Sequence, residues 1–530
     1  MKRYELIVIG AGPAGLSAAI EAASWGMKVI VFDENALPGG QLFKQIHKFF
    51  GSKKHHAKIR GFRIGETLLK EAEESGVEVR LKATVMGIFA NKEITVMNGD
   101  HIEHFKGDNI IVATGASENM ITFPGWTMPG VIGAGAAQTL MNLHGIKPGN
   151  KVLMVGSGNV GLVVSFQLQQ AGCKVVAIID ASPKIGGYGV HAAKVARTGI
   201  PFYLSHTIVR TAGEDCVSGA IIAEVDSHWQ VIEGTQKELE VDTICLAVGL
   251  SPMSQLARLT GCDMFDAVEK GGLVPRCNEY GETSIPGLFC AGDVAGIEEA
   301  SSAMIQGRIS GLAVAKRSGY ILANEFLMRF VSFQESLSQL RGGMFGIEKK
   351  GCVVTQTDEG LPLSRTLLQK GYIAEAEIEL FSGSKKCKAK GVHPVIECTQ
   401  NIPCNPCQDA CRQGCIIVGD QITSLPIVTD TEKCSGCGMC IISCPGQAIF
   451  LVDDDYTEDS SAISFPYEFL PLPKAGDMGM ALDRSGQEIC PAEIVKVRTG
   501  KGMDETAIVT MKVPSEFANK SRFCAIYTES

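Results

Sequence analysis

The densest chemistry in the chain is Cys434-Ser435-Gly436-Cys437-Gly438-Met439-Cys440-Ile441-Ile442-Ser443-Cys444-Pro445. Its spacing, C-x2-C-x2-C-x3-C-P, sets three thiolates around one [4Fe–4S] cubane, and Pro445 turns the chain away. A zinc site would use only four thiolates, as two separated pairs. Of 19 cysteines, nine fall between Cys398 and Cys444, and residues 1–172 contain none. A disulfide scaffold would spread its cysteines through a short secreted chain. Clustering within 530 residues points to metal.

Cys404, Cys407, Cys411 and Cys415 stand upstream at spacings x2, x3 and x3, and Cys434 follows Cys415 by 19 residues. The two runs together resemble a clostridial two-cluster ferredoxin, in which the fourth Cys of each run serves the other cluster. The resemblance implies two [4Fe–4S] clusters. One would take Cys434, Cys437, Cys440 and Cys415, the other Cys404, Cys407, Cys411 and Cys444. The upstream run departs from the pattern by one extra residue and a missing Pro, and Cys398 is a ninth candidate able to replace a ligand. One cluster plus a different metal centre is the alternative. Cys173, Cys245 and Cys290 lie in apolar runs and are expected as packing residues.

Two further constellations bind rather than react. Tyr4–Ile9 is a buried-strand pattern running into Gly10-Ala11-Gly12-Pro13-Ala14-Gly15, a small-residue helix, and a second strand ending at Asp33-Glu34. Gly10 permits the tight turn, Gly12 admits a pyrophosphate and Gly15 lets helix and strand pack closely. The helix N-terminus adds amide donors and partial positive charge. Asp33, 23 residues after Gly10, can accept from a ribose hydroxyl. Gly39-Gly40-Gln41 is placed to pass phosphates, Ala113-Thr114-Gly115 ends another apolar strand, and Gly292-Asp293 repeats that design. The second fingerprint is Gly156-Ser157-Gly158-Asn159-Val160-Gly161, with Asp180 at the end of the following strand. Asp180 would bond a free 2′-hydroxyl and repel a 2′-phosphate. No arginine follows before Arg197, so NAD is expected over NADP, with another adenine nucleotide as the alternative.

These motifs together resemble the two-dinucleotide-domain flavoproteins of the thioredoxin reductase and glutathione reductase superfamily, over about residues 1–325. The resemblance implies an α/β chain with two Rossmann-like domains and FAD in the first site. The expected domains are an FAD-binding domain in two parts (1–125 and 256–325) around an inserted NAD-binding domain (126–255). A connecting domain (326–395), an α+β ferredoxin-like domain (396–455) and a small β module (466–530) follow. Disulfide reductases of this superfamily need a Cys pair beside the flavin. Gly133–Gln138 and Gln41–Gln45 hold no Cys where such pairs would lie, which excludes that chemistry.

Ala116-Ser117-Glu118 and Phe123–Val131 resemble the electron-transfer subunits of dehydrogenases that act on amines and amino acids as heteromeric complexes. That group includes the α subunits of sarcosine oxidase and dye-linked L-proline dehydrogenase, with subunits of opine oxidase and hydrogen cyanide synthase. The resemblance implies an iron–sulfur oxidoreductase subunit partnered by an FAD-dependent, substrate-oxidising subunit, with a ferredoxin or quinone-linked acceptor as a further partner. It also implies FMN at a subunit interface in some members. The substrate would be proline, hydroxyproline, sarcosine or an opine. A stand-alone NAD:ferredoxin-type oxidoreductase and an assembly subunit with a structural adenine nucleotide are the alternatives. No Ser/His/Asp constellation or placed general base is legible, so no catalytic side chain is expected.

The balance of 49 basic and 58 acidic residues gives no support to nucleic-acid binding. A 45% hydrophobic fraction suffices for buried cores. No membrane span or signal segment is legible, and a cytoplasmic protein is expected. Lys44–Arg63 is basic and expected as a solvated loop, with docking of an acidic redox partner as the alternative.

Overall fold

The computed structural model describes residues 1–343, 364–381, 383–384 and 391–527. They form two units, the first built from 1–119 with 249 onward, the second from 120–248 with the C-terminal part. Each unit carries its own dinucleotide-type sheet.

In the first unit the β-branched run Lys2–Ile9 is the centre of a parallel sheet. Val29–Phe32 pairs on one side and His101–Val112 on the other; Glu78–Arg80 lies beyond the former, and Leu288–Cys290 pairs parallel with the latter. Register puts Phe32 opposite Ile9, and both Ile9 and Cys290 opposite Val112. Gly10, Asp33, Ala113 and the Gly292 turn therefore emerge at one edge. The helices Pro13–Ser24 and Ala300–Arg317 pack closely because side chains at Gly307 and Gly311 would overlap the carbonyls of Ala14 and Ala18.

The second unit repeats the plan. Lys151–Val155 is flanked in parallel by Lys174–Asp180 and Thr243–Leu246. Gly156, Asp180 and Ala247 emerge at its carboxyl edge. Phe123 joins the core of this unit, while Gly125 and Gly130 sit against Thr211 and Val217. The Pro/Gly segment is thus packed structure rather than loose linker.

Two expected boundaries are corrected. The tail does not form a module separate from the iron–sulfur segment. One antiparallel sheet runs Val392–Ile396, Ile449–Asp453, Ser460–Tyr467, Ala507–Pro514, Glu488–Arg498, Met478–Leu482 and Phe523–Ile526. The strand Ser460–Tyr467 pairs with both halves, so they share one core around Phe450, Phe465 and Met511. Nor is 326–395 a single connecting domain. The helix Ala323–Leu340 buries Phe326, Phe330 and Leu337 in the first unit, whereas Leu367, Ile373 and Phe381 pack near Ala193 in the second. Most of the remainder of that stretch lies outside the described residues.

The basic segment is also corrected. Lys48, His55 and Arg60 are buried, and the His55 ring bonds Ser52 Oγ (2.9 Å) and Ser336 Oγ (2.8 Å). Burial holds the His55 imidazole down at about 4. Of its basic residues Lys53, Lys54, Lys58 and Arg63 are exposed. Among the described residues no helix is long and apolar enough to cross a membrane.

Candidate cofactor and iron–sulfur sites

The two fingerprints have the same physical logic. A side chain at Gly10 would overlap the Ala113 carbonyl, and one at Gly156 the Ala247 carbonyl. Both residues have left-handed φ, +105° and +108°. Likewise a side chain at Gly15 would strike the Gly10 carbonyl, and one at Gly161 the Gly156 carbonyl. Gly12 and Gly158 differ. Each is the N-cap of its helix with φ of −78° and −67°, and a Cβ there would meet nothing within 4 Å. The protein's own packing does not require glycine at these two positions. An open, flat backbone at a helix N-terminus is what a pyrophosphate needs. Both cradles therefore fit a dinucleotide.

The acidic residues occupy matched places. Asp33 Oδ2 accepts from the Ala11 N–H (2.7 Å) and Oδ1 from the Asn35 N–H (2.8 Å). Asp180 Oδ2 accepts from the Ser157 N–H (2.7 Å) and hydroxyl (2.6 Å), and Oδ1 from the Ser182 N–H (2.8 Å). Glu34 is exposed beside Asp33. Ala14 is buried beneath Gly292, and Pro13 opens the helix at its first position. Gly40 lies over Gly12, and Gln41 is exposed. Thr114 Oγ1 donates to the Met253 carbonyl (2.7 Å), and the Gly115 carbonyl accepts from the Met253 N–H (2.9 Å). The Gly292 N–H donates to Gln306 Oε1 (3.0 Å), and Asp293 Oδ1 accepts from the Glu298 N–H (3.2 Å).

In the second cradle Val160 is exposed, and the Asn159 side chain accepts from the Tyr188 N–H (2.8 Å). Asn159 thus fixes a loop as well as opening the helix. That loop, Gly186-Gly187-Tyr188, was not legible as part of the site. The Gly187 N–H donates to the Ser157 carbonyl (3.0 Å), as the Gly39 N–H does to Ala11 (2.7 Å). The repeated Gly-Gly pair, soon after each acidic strand end, was the available signal. Ala247 was missed for a similar reason: it ends its strand as Ala113 does. Arg197 is buried away from the cradle and donates to the Gln447 carbonyl (3.0 Å).

The cysteines separate into two neighbourhoods. Burial pushes the Cys440 thiol up, and Cys434, Cys437 and Cys411 add to it. Cys411 and Cys415 lie with their sulfurs 3.1 Å apart, and burial and Cys411 push Cys415 up to about 12. In the other neighbourhood burial raises Cys407 to about 12, with Cys444 adding to it, and Cys398 rises from burial, Cys444 and Cys407 together. Cys404 is fixed by its N–H to the Ile422 carbonyl (2.8 Å). Among the described residues no three His, Cys, Asp or Glu side chains are gathered as a metal would need, so the fold brings these thiols near one another without setting out a complete ligand set. Cys411, expected with Cys404, Cys407 and Cys444, lies instead beside Cys415. Cys173, Cys245 and Cys290 are buried in cores, as is Cys490.

Two dinucleotide folds on one chain, followed by a cysteine-ligand segment, define an iron–sulfur member of the two-nucleotide oxidoreductase class. The profile described as pyridine nucleotide-disulphide oxidoreductase matches residues 4–307, and the chain belongs to that family. A 4Fe-4S binding domain matches residues 427–450. These matches imply FAD and NAD binding and a [4Fe–4S] cluster, in a redox enzyme without the usual dithiol. An opine oxidase subunit of Agrobacterium tumefaciens is 28% identical, the match covering 58% of this chain and 65% of that one. Hydrogen cyanide synthase subunit HcnB of Pseudomonas aeruginosa is 26% identical over 65% of this chain and 77% of that one. The match thus spans less than two thirds of the opine oxidase subunit's length. The thioredoxin reductase of T. acidophilum shares the fold, with a TM-score of 0.50 and 21% identity over 60% of this chain and 99% of that one.

Proposed function

We propose that this chain is the electron-transfer subunit of a heteromeric FAD-dependent dehydrogenase acting on an amino acid or secondary amine, such as proline, hydroxyproline, sarcosine or an opine. The observation that carries it is the pairing of two open cradles, at Gly12 and Gly158, with a separate thiol-rich segment. All recognisable chemistry in the chain is cofactor holding. The names of the relatives, subunits of an opine oxidase and of a hydrogen cyanide synthase, support a heteromeric enzyme and this substrate class.

Gly10, Gly12, Pro13, Ala14, Gly15, Asp33, Glu34, Gly40, Gln41, Ala113, Thr114, Gly115, Gly292 and Asp293 would hold FAD. Gly156, Gly158, Asn159, Val160, Gly161 and Asp180 would hold NAD. Bound together, FAD, NAD and two [4Fe–4S] clusters supply two-electron and one-electron redox chemistry. The chain's own part is to present helix-terminal amides to phosphate, to hold Asp33 and Asp180 at the ribose positions, and to bury Cys407, Cys415 and Cys440 while Cys437 stays exposed. The family resemblance adds an FMN at the subunit interface in some members, and no residue here is assigned to it.

A stand-alone NAD-linked oxidoreductase is the second reading, and the intact Asp180 and open Gly158 favour it. Purification from the native host decides between them, with flavin extraction, iron and sulfide assay, and identification of bound proteins. Co-purification with a substrate-oxidising flavoprotein is expected. A chain that isolates alone and turns over NADH with an artificial acceptor overturns the subunit reading.

A further inference from the structure

We propose that Gln400 is a positioning residue of the second nucleotide site: its side-chain carbonyl holds the loop beside the Gly158 cradle, and through that bond nucleotide binding is linked to the order of the cysteine-rich segment. The proposal rests on the nucleotide reading of the second fingerprint and adds to it a residue from a distant part of the chain.

The loop is held amide by amide. The Ile185 N–H donates to the Leu368 carbonyl (2.8 Å), the Gly186 N–H to Ser157 Oγ (3.3 Å) and the Gly187 N–H to the Ser157 carbonyl (3.0 Å). The Tyr188 N–H donates to Asn159 Oδ1 (2.8 Å), and the Gly189 N–H to Gln400 Oε1 (2.6 Å). The three middle amides thus rest on the fingerprint, and the two outer ones on the C-terminal part of the same unit. Gly186 lies beside Gly158, and a side chain at Gly187 would press on the Asn159 backbone nitrogen, so the loop borders the cradle itself. Gly189 opens the helix Gly189–Ala196, whose N-cap residue Tyr188 supplies no side-chain cap. The first amides of a helix have no partner within it. Gln400 supplies one at Gly189 from 211 residues away. At the first site the pair Gly39-Gly40 runs instead into a turn bonded within itself, with the Leu42 N–H on the Gly39 carbonyl (3.2 Å).

Gln400 is buried, and its Nε2 meets no hydrogen-bond partner among the described residues, so the side chain serves there as an acceptor alone. It stands in a stretch tied down on both sides. The Glu397 N–H donates to the Ala448 carbonyl (2.8 Å), Asn401 Nδ2 to the Thr423 carbonyl (2.9 Å) and the Cys404 N–H to the Ile422 carbonyl (2.8 Å). Cys398 and Cys404 bracket Gln400 within that stretch. The helix that Gln400 caps also touches the loop after Cys444: a side chain at Gly446 would overlap Val190, and Arg197 donates to the Gln447 carbonyl (3.0 Å). The cradle loop therefore cannot shift without disturbing contacts to the cysteine-rich segment. A ligand that fixes the loop favours the ordered stretch, and by reciprocity the ordered stretch favours the ligand.

The test uses the full-length protein, purified anaerobically with its flavin. NAD is titrated by calorimetry into wild type, Gln400→Met and Gln400→Glu, and hydrogen exchange is followed by mass spectrometry with and without NAD. ADP takes its place in every arm if wild type binds ADP alone. Gln400→Met keeps the side-chain length but offers no oxygen. Gln400→Glu keeps the acceptor and suits the positive end of the helix. Wild type is expected to bind NAD and to slow exchange both in 185–196 and in 398–404. Gln400→Met is expected to keep its flavin, to bind NAD at least about fivefold more weakly and to lose the effect on 398–404. Gln400→Glu should restore both. Wild type that binds neither nucleotide overturns the reading of the second fingerprint, before any variant is compared, and the proposal with it. Equal affinity in wild type and Gln400→Met, weak binding that Gln400→Glu does not restore, or wild-type protection confined to 185–196 overturns the role of Gln400 alone. If Gln400→Met does not fold, wild type and Gln400→Glu decide: protection of 398–404 in both supports the link, and its absence in either overturns it.

Discussion

The Asp180 carboxylate closes the second fingerprint by accepting from both the N–H and the hydroxyl of Ser157, at 2.7 and 2.6 Å. The acid that would meet a ribose therefore also holds the glycine turn in shape. Asp180→Ala is expected to weaken NAD binding at least about tenfold, roughly 1.4 kcal/mol. It also orphans the Ser157 amide, at about 1–3 kcal/mol of stability. Titration calorimetry and chemical unfolding check the two effects, and flavin content should not change.

Gly12 and Gly158 are open to their surroundings, whereas Gly15 and Gly161 are pressed against carbonyls. Gly12→Ala is expected to cost the apo-protein no more than about 1 kcal/mol, the scale of an N-cap change, yet to lower FAD retention. Gly158→Ala should spare the flavin and impair NAD binding. Gly15→Ala and Gly161→Ala should destabilise their domains outright. Flavin absorbance after gel filtration and NAD titration separate these outcomes.

His55 is buried between Ser52 and Ser336, and its pKa falls from 6.5 to about 4. The folded value is depressed, so the unfolded chain takes up the proton first. Stability is full above pH 6.5 and is lost as pH falls toward about 4. The loss is about 2 kcal/mol, allowing for partial solvent access. His55→Gln should flatten this acid limb in urea unfolding measured from pH 7 downward. An unchanged limb would show that other groups cause it.

Glu397 is shared by Arg484 and Arg522 inside the C-terminal sheet domain. Glu397→Gln leaves both guanidiniums buried without a carboxylate and should cost about 3–5 kcal/mol. Denaturant unfolding of the purified protein at neutral pH measures it. A loss below about 1 kcal/mol would mean that water reaches the network.

Much of the nucleotide machinery was legible because it is local. Gly10 to Gly15 and Gly156 to Gly161 need only a strand before and a helix after. Each acid is one strand further on. Gly186-Gly187 and Ala247 escaped notice because neither carries a polar side chain. Lys48, His55 and Arg60 read as a solvated run because composition does not show which cations a neighbouring helix will cover.

The sequence by itself determined the two cofactor folds, the cysteine-rich segment and the absence of a dithiol beside the first fingerprint. Those follow from residue type and short spacing. Only the tertiary structure decided which cysteines face one another, and where the iron–sulfur segment ends. Cys398 is 46 residues from Cys444, and the ladder between Val392–Ile396 and Ile449–Asp453 sets its neighbour Glu397 against Ala448, whose N–H reaches the Cys444 sulfur. Cys411 stands one residue beyond the usual spacing and lies beside Cys415. Spacing along the chain fixes what one turn can gather, whereas strand pairing fixes what meets across a fold.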